Sequence, residues 1–138
     1  MREYLHIQLA GQKVERQTFT GEQIARSGRY FIARELVACG AAKVEPLSGD
    51  NPLIFSAGPF AGTNFSNANR VSVGCRSPLT GGIKEANAGG TFGFALGQLG
   101  LAGFTLHGAA NDWTVMHVSL EGEVSFSPAD DLMGLSNF

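Results

Sequence analysis

Polar and apolar residues alternate over positions 3–9, with Tyr4, His6 and Gln8 on one side and Leu5, Ile7 and Leu9 on the other. A period of two is that of a half-buried strand. Ala10-Gly11 is a turn signal, and 12–19 reads as the return strand of a hairpin. The period then changes. Thr20 is placed as a helix N-cap with Gln23 three residues on, a T-x-x-Q capping box. Ile24, Phe31, Ile32 and Leu36 fall on one stripe of the helix that follows, leaving Arg26, Arg29 and Glu35 mostly outside, and Gly40 stops it. After the Asp50-Asn51-Pro52 turn, Leu53-Ile54-Phe55 is a short apolar run suited to a buried strand, ended by Gly58-Pro59.

Residues 58–69 carry no period and read as a loop. Val71, Val73 and Cys75 alternate with Ser72 and Gly74 between Arg70 and Arg76, a second strand signal, and 77–82 is a turn. The small residues 86–90 read as a loop that opens a helix over about 91–99, capped by Gly100. Three strands are expected over 104–107, 113–120 and 123–126, with a hairpin at Glu121-Gly122. The tail 127–138, with Pro128 and Asp130-Asp131, opens a further helix. Nothing repeats and no linker intervenes. Residues 1–138 are therefore expected to form one α+β unit: a β-rich base with an N-terminal hairpin, several antiparallel or mixed strands and two helices.

Composition narrows the function. The chain has 138 residues and is 43% hydrophobic, enough for a core and too much for a disordered segment. Its formal net charge is -2. No basic field is present to hold a phosphate backbone, so nucleic acid is not an expected partner. The stretch between Glu85 and Asp112 is uncharged and long enough to span a bilayer, but Gly89, Gly90, Gly93, Gly97, Gly100, Gly103 and Gly108 interrupt it, and no membrane span is expected. The spacing of Gly89, Gly93 and Gly97 suits a helix lying tightly on a sheet or a ligand. Met1-Arg2-Glu3 leads into an alternating segment rather than a secretory apolar run, so a cytoplasmic location is expected. Cys39 and Cys75 are then read as buried thiols in a reducing compartment.

Charged residues are sparse overall, at 16%, and glycine is frequent, at 19 positions. From Asn51 to Ala110 the charged residues are Arg70, Arg76, Lys84 and Glu85, with Gly81-Gly82 and Gly89-Gly90 close by in sequence. The second glycine pair leads into a helix. A helix N-terminus offers N–H donors and a positive dipole end to an anion. Glycine lets a ligand reach the backbone, and arginine supplies a planar donor fork. This combination suits a phosphorylated, ring-bearing cofactor. Turn-forming glycines packing a helix on a sheet, with solvated arginines, explain the same residues, and both readings stay open on composition alone. The dinucleotide G-x-G-x-x-G pattern fails at Ala88, and the Walker phosphate loop is absent. His6, His107 and His117 are dispersed and lack ligand spacing, so they are expected to be structural or surface residues. Nothing in the pattern supplies a nucleophile or a redox centre; the residues point to binding.

Several segments resemble a known family in the right order: Asn51-Pro-Leu-Ile-Phe-Ser-Ala-Gly-Pro59, Gly62-Thr63, Arg70, Ser77-Pro-Leu-Thr-Gly-Gly-Ile83 and Ala86-Asn-Ala-Gly-Gly-Thr-Phe-Gly93. They are similar to the N-terminal domain of the tungsten-dependent aldehyde:ferredoxin oxidoreductases. The opening hairpin and helix, Ser27-Gly28-Arg29 and Leu132-Met-Gly134 extend the likeness, with Phe31 departing from the family's second glycine. The resemblance implies a base for a tungsto-bis-pyranopterin cofactor whose phosphates are bridged by magnesium. It implies that Arg70 contacts a pterin, that the backbone at Asn87 faces the magnesium, and that Ala88, Gly89 and Gly90 lie against the pterin system. It further implies an oxidoreductase, of tungsten or molybdenum, acting on aldehydes with ferredoxin as electron acceptor. The family's 4Fe-4S cluster belongs to later domains, and neither Cys39 nor Cys75 matches its C-x-x-C-x-x-x-C run. The partners implied are the remaining domains or subunits of such an enzyme. The family base has a second, pseudo-twofold half that this chain lacks, so a homodimer is expected to restore the symmetry. The contrasting expectation is a non-catalytic interaction or assembly module that keeps the fold without the cofactor.

Overall fold

A computed structural model describes residues 1–136 of the chain. The elements in order are β1 (Arg2–Gln8), β2 (Lys13–Phe19), α1 (Gly21–Ala25), α2 (Arg29–Ala38), a 3-10 turn (Ala41–Lys43), β3 (Leu53–Ala57), β4 (Arg70–Arg76), β5 (Ile83–Gly89), α3 (Thr91–Gln98), β6 (Leu101–His107), β7 (Thr114–Val118), β8 (Val124–Pro128) and a 3-10 turn (Asp130–Leu132). Six strands form one sheet in the order β2-β1-β6-β3-β4-β5, and β7-β8 form a separate ribbon. Only β1 and β6 run parallel within the large sheet; every other neighbour pair is antiparallel. This is the β-rich α+β class that the period-two segments predict.

The sheet is buried on both sides because its inner strands carry apolar residues on both pleats. Tyr4, Phe19, Phe31, Ile32, Leu36, Ala41, Ile54 and Ala102 form one core under α2. Leu5, Ile7, Ala57, Ala61, Val71, Leu96, Leu101 and Phe104 form the other under α3, and Met116, Val118, Val124 and Phe126 of the ribbon pack against it. β1 is thus not half-buried, as alternation alone predicts: Tyr4 is as inaccessible as Leu5. Its hydroxyl meets Thr105 Oγ1 at 2.7 Å, which satisfies the one polar group that the ring brings into the core.

The expected first helix is in two pieces. Thr20 and Gln23 form the predicted capping box, with the Thr20 N–H donating to Gln23 Oε1 at 3.1 Å. The helix then breaks at Ser27-Gly28, where Gly28 has φ +80°, a left-handed value that favours glycine. The Gly28 N–H donates to the fully buried Ser56 Oγ at 2.7 Å, so β3 holds the start of α2. A stripe of apolar residues cannot reveal this break, because both pieces keep Ile24, Phe31, Ile32 and Leu36 on the core side.

The segment 83–89, which shows no strand pattern and whose small residues 86–90 are expected to form a loop, is instead strand β5, paired residue for residue with β4 from Arg70↔Gly89 to Arg76↔Ile83. It is the outer strand and almost wholly exposed, so no alternation of burial is imposed on its side chains. Likewise β6 begins three residues earlier than expected, at Leu101, because it is buried on both faces and so shows no period two. Cys39 is exposed and Cys75 half-buried, which corrects the expectation of two buried thiols: α2 turns Cys39 outward at its last turn. The expected tail helix is a 3-10 turn within the described residues, and Phe138 lies outside them. No helix among the described residues is long and apolar enough to cross a membrane.

Helix α3 lies against backbone rather than side chains. A Cβ on Gly97 would come within 2.2 Å of the Ala61 carbonyl, and one on Gly93 within 2.9 Å of the Asn69 carbonyl. Gly97→Ala is therefore expected to push α3 off the 61–62 backbone and to lower stability by about 1–3 kcal/mol, read as a lower urea midpoint with an unchanged m-value. An unchanged midpoint would show that α3 is held elsewhere.

His107 gives a pH dependence. Burial, and secondly the neighbouring His6, hold its pKa below the ordinary imidazole value, against the opposing pull of Glu15 and Glu35. The unfolded chain protonates this ring near pH ~6.5, the folded chain only at lower pH. Stability is thus expected to fall as pH drops from 7.5 to 5.5. His107→Asn should remove part of that slope in urea titrations at the two pH values; an identical slope in the variant contradicts the assignment.

Candidate functional site

The pleat fixes the site. Arg70 and Ser72 on β4 and Asn87 and Gly89 on β5 share one face, because Arg70 pairs with Gly89 and Ser72 with Asn87. Arg70 Nε donates to Asn87 Oδ1, and Asn87 Nδ2 donates to Ser72 Oγ at 3.0 Å. The asparagine amide is thereby oriented at both ends. Arg70 Nη1 lies where a Cβ on Gly89 would sit 3.4 Å away, so the absent side chain leaves room for the guanidinium along the strand.

Arg70 stands on a ridge between two depressions. One, of about 280 Å³, is lined by Ser27, Gly28, Arg29, Gly58, Pro59, Ser72 and Asn87 with Arg70. The other, of about 530 Å³, is lined by Asn67, Asn69, Gly89, Gly90, Thr91 and Phe94 with Arg70. Each depression meets the start of a helix. Gly28 is the N-cap of α2 and Gly90 that of α3, and neither has a side chain to cap the first turn. Two positive helix ends and one guanidinium thus converge on the same end of the sheet, which suits an anion. A third groove, of about 350 Å³, runs on the α3 side between Val71, Ala86, Ala88 and Phe92 and is mostly apolar.

The hydrogen-bond alternation also exposes backbone. The Gly58 N–H donates to the Arg70 carbonyl at 2.9 Å, and the Gly90 N–H to the Asn69 carbonyl at 3.2 Å. Arg70 and Ser72 therefore direct their main-chain groups toward β3, and the alternation of an antiparallel ladder leaves those of Asn87 and Gly89 on the outer edge of β5. With its side chain engaged by Arg70 and Ser72, what Asn87 can offer a cation is its backbone oxygen.

All five predicted site residues, Arg70, Asn87, Ala88, Gly89 and Gly90, are neighbours here, although Ala88 faces the opposite side from Asn87. Arg76 is not among them. It lies at the far end of β4, where Nε donates to the Gly81 carbonyl at 2.8 Å and Nη1 to the Val44 carbonyl. Arg76 and Gly81-Gly82 are thus turn chemistry. The second cation near Arg70 is instead Arg29, at the start of α2, paired with Glu85 at 3.1 Å. Helical periodicity placed Arg29 outside the core stripe, and only its position after Ser27-Gly28 marked it.

A larger cavity, about 640 Å³, lies elsewhere, between the ribbon and the sheet, and is lined by Leu9, Leu106, Trp113, Met116, Phe126 and Asp112 among others. It contains no cation and no helix end, so the chemistry, not the volume, picks the Arg70 region. Among the described residues no group of three or more His, Cys, Asp or Glu is placed to hold a metal ion.

Comparison with known proteins bears on this arrangement. Residues 4–138 match the family model for the aldehyde ferredoxin oxidoreductase N-terminal domain. The tungsten-containing aldehyde ferredoxin oxidoreductases of Pyrococcus horikoshii and Pyrococcus abyssi are 32% and 33% identical over 85% and 83% of the chain, which covers 20% and 19% of their lengths. The glyceraldehyde-3-phosphate:ferredoxin oxidoreductase of Pyrococcus furiosus is 35% identical over 59% of the chain and 12% of its own length. Among solved structures, the active-site complex BamBC of benzoyl coenzyme A reductase, bound to 1,5-dienoyl-CoA, superposes with a TM-score of 0.87 at 26% identity, covering 97% of this chain and 21% of that one. The chain thus spans about a fifth of the length of the tungsten-containing relatives it matches. With a match running from Tyr4 to the last residue, this chain belongs to the aldehyde ferredoxin oxidoreductase N-terminal domain family, a family of oxidoreductases.

Proposed function

We propose that the chain is the cofactor platform of a tungsten-containing oxidoreductase. The observation that carries this reading is the meeting of Arg70 with the starts of α2 and α3, where Gly28, Gly58, Gly89 and Gly90 leave main chain bare. A phosphate-bearing pterin fits such a surface: Arg70 and the N–H groups following Gly28 and Gly90 hold phosphate, and Ala88, Gly89 and Gly90 let a flat ring system approach the main chain. The outward main chain at Asn87 suits the hard oxygen coordination of magnesium, which keeps several of its waters. When bound, the tungsten-pterin group supplies the two-electron redox chemistry, and this chain's residues hold and orient it. Arg29 and Glu85 form the rim that limits access from the α2 side.

The relatives differ in what their names say they act on: an aldehyde, glyceraldehyde-3-phosphate, benzoyl coenzyme A. A platform common to these belongs to the cofactor rather than to the substrate. For this chain we infer aldehyde oxidation with ferredoxin as acceptor, inside a larger assembly whose other domains or subunits bring the iron-sulfur cluster and the substrate pocket. A homodimer that pairs two copies across the exposed β5 edge is one form of such an assembly.

Arg70→Ala should weaken binding of an oxidised pterin phosphate to the 138-residue chain by about ten- to a hundredfold, the loss expected of one charge-assisted contact. Fluorescence titration reads it. In the assembled enzyme the same variant should lower tungsten and pterin content together, with Arg70→Lys between the two. Wild-type pterin affinity and wild-type tungsten content in Arg70→Ala would favour an assembly module that keeps the fold without the cofactor.

A further inference from the structure

The half of the sheet away from β5 carries a second arrangement, unrelated to the platform, on the neighbouring inner strands β1 and β6. His6 on β1 and His107 on β6 are 101 residues apart in sequence, yet His6 Nδ1 lies 3.4 Å from His107 Nε2. The rings are 5.6 Å apart between centroids and inclined by 29°. The topology produces this contact: β1 and β6 are the parallel pair, with Gln8 opposite His107 and His6 opposite Thr105, so both imidazoles rise from one pleat.

We propose that His6 and His107 form a two-nitrogen site for a tetrahedral divalent metal ion, zinc foremost, with water completing the coordination. Two nitrogens at about 2.0–2.1 Å from a tetrahedral ion stand about 3.3–3.4 Å apart, and the two histidine nitrogens have that spacing. Cis ligands of a square-planar ion sit closer, which favours zinc over copper or nickel at this bite.

The surroundings support the site. Gln17 Oε1 lies 3.3 Å from His6 Nε2. An amide oxygen only accepts, so it selects the tautomer with hydrogen on Nε2 and leaves the Nδ1 lone pair toward His107. A ligand imidazole held through its other nitrogen is the usual outer-shell arrangement. In the free chain, His107 Nε2–H then donates to His6 Nδ1. On metal binding, His107 carries its proton on Nδ1 instead, both rings stay neutral, and no net proton is released. Two carboxylates reach the rings and oppose the effect of burial at His107. Glu15 stands opposite His6 on β2 and acts on both rings, and Glu35 of α2 acts on His107. Lys13, 2.8 Å from Glu15, offsets part of that charge. The ion would clamp the one parallel junction of the sheet, between two inner strands and away from Arg70.

The test uses zinc chloride and, as a spectroscopic substitute, cobalt chloride, titrated into the 138-residue chain at pH 7.5. One equivalent of zinc should bind by calorimetry and raise Tm in proportion to the logarithm of free zinc above Kd. Cobalt should give the intense visible bands of a tetrahedral ion. His6→Gln and His107→Gln should each abolish the bands, and Gln17→Ala should weaken zinc by about tenfold. His117→Gln, on the separate ribbon, should bind as wild type. Circular dichroism confirms folding of each variant. Absence of one-equivalent binding by the wild type, or retention of the bands in either His6→Gln or His107→Gln, overturns the proposal. Octahedral cobalt spectra in the wild type overturn the tetrahedral assignment.

Discussion

The close approach of α3 to the main chain of the 61–70 segment is the constraint on which the rest depends. Because Gly93 and Gly97 carry no side chains, the helix settles against the carbonyls of Asn69 and Ala61. That contact fixes two things at once. It closes the α3-side core over Leu96, Val71 and Phe104. It also sets the first turn of α3 beside the start of β4, where Arg70 emerges. Core packing and site geometry are thus one interaction here: a helix displaced outward by an ångström or so would loosen the apolar layer and separate the guanidinium from the helix end in the same movement.

The opposite side of the sheet is organised by a polar contact inside an apolar layer. Ser56, with no exposed surface, accepts from the Gly28 N–H and so anchors the beginning of α2 near the end of β3. A buried hydroxyl needs such a partner, and the partner chosen is a helix terminus. Tyr4 and Thr105 satisfy each other in the same layer a few residues away. Both devices let the α2 face carry polar atoms toward the strand ends without leaving them unpaired. The face therefore grades from core at Ile54 and Tyr4, through the buried Ser72, to a donor-rich surface at Asn87 and Arg70.

How far the sequence shows this varies with burial. Segments bounded by clear turn and cap residues are legible: the hairpin across Ala10-Gly11, the capping box at Thr20 and Gln23, β4 between Arg70 and Arg76, and α3 from its glycine start to Gly100. β5 is not, because an outer strand exposed on both faces feels no demand for alternation, and Ala86-Asn87-Ala88-Gly89 looks like a loop for that reason. The five residues that the family resemblance implies are neighbours in the fold, while the charged residues around them are not legible in the sequence. Arg76 was counted in, though its donors are consumed by the Gly81 and Val44 carbonyls. Arg29 was left out, since the break that aims it is encoded by a single glycine. The meeting of His6 and His107 is set wholly by the β1–β6 pairing, which no local pattern predicts.

The break at Gly28 has a consequence for how the molecule distributes charge without using side chains. A single rod running from Gly21 to Ala38 would carry its electropositive pole at residue 21, roughly 10 Å back along the axis. By interrupting the rod, the chain creates a second pole and delivers it to the end of β3. One backbone angle thereby relocates about half an elementary charge onto the surface that Arg70 and Arg29 line. That share of the potential is written in peptide groups, which carry it without a titrating side chain.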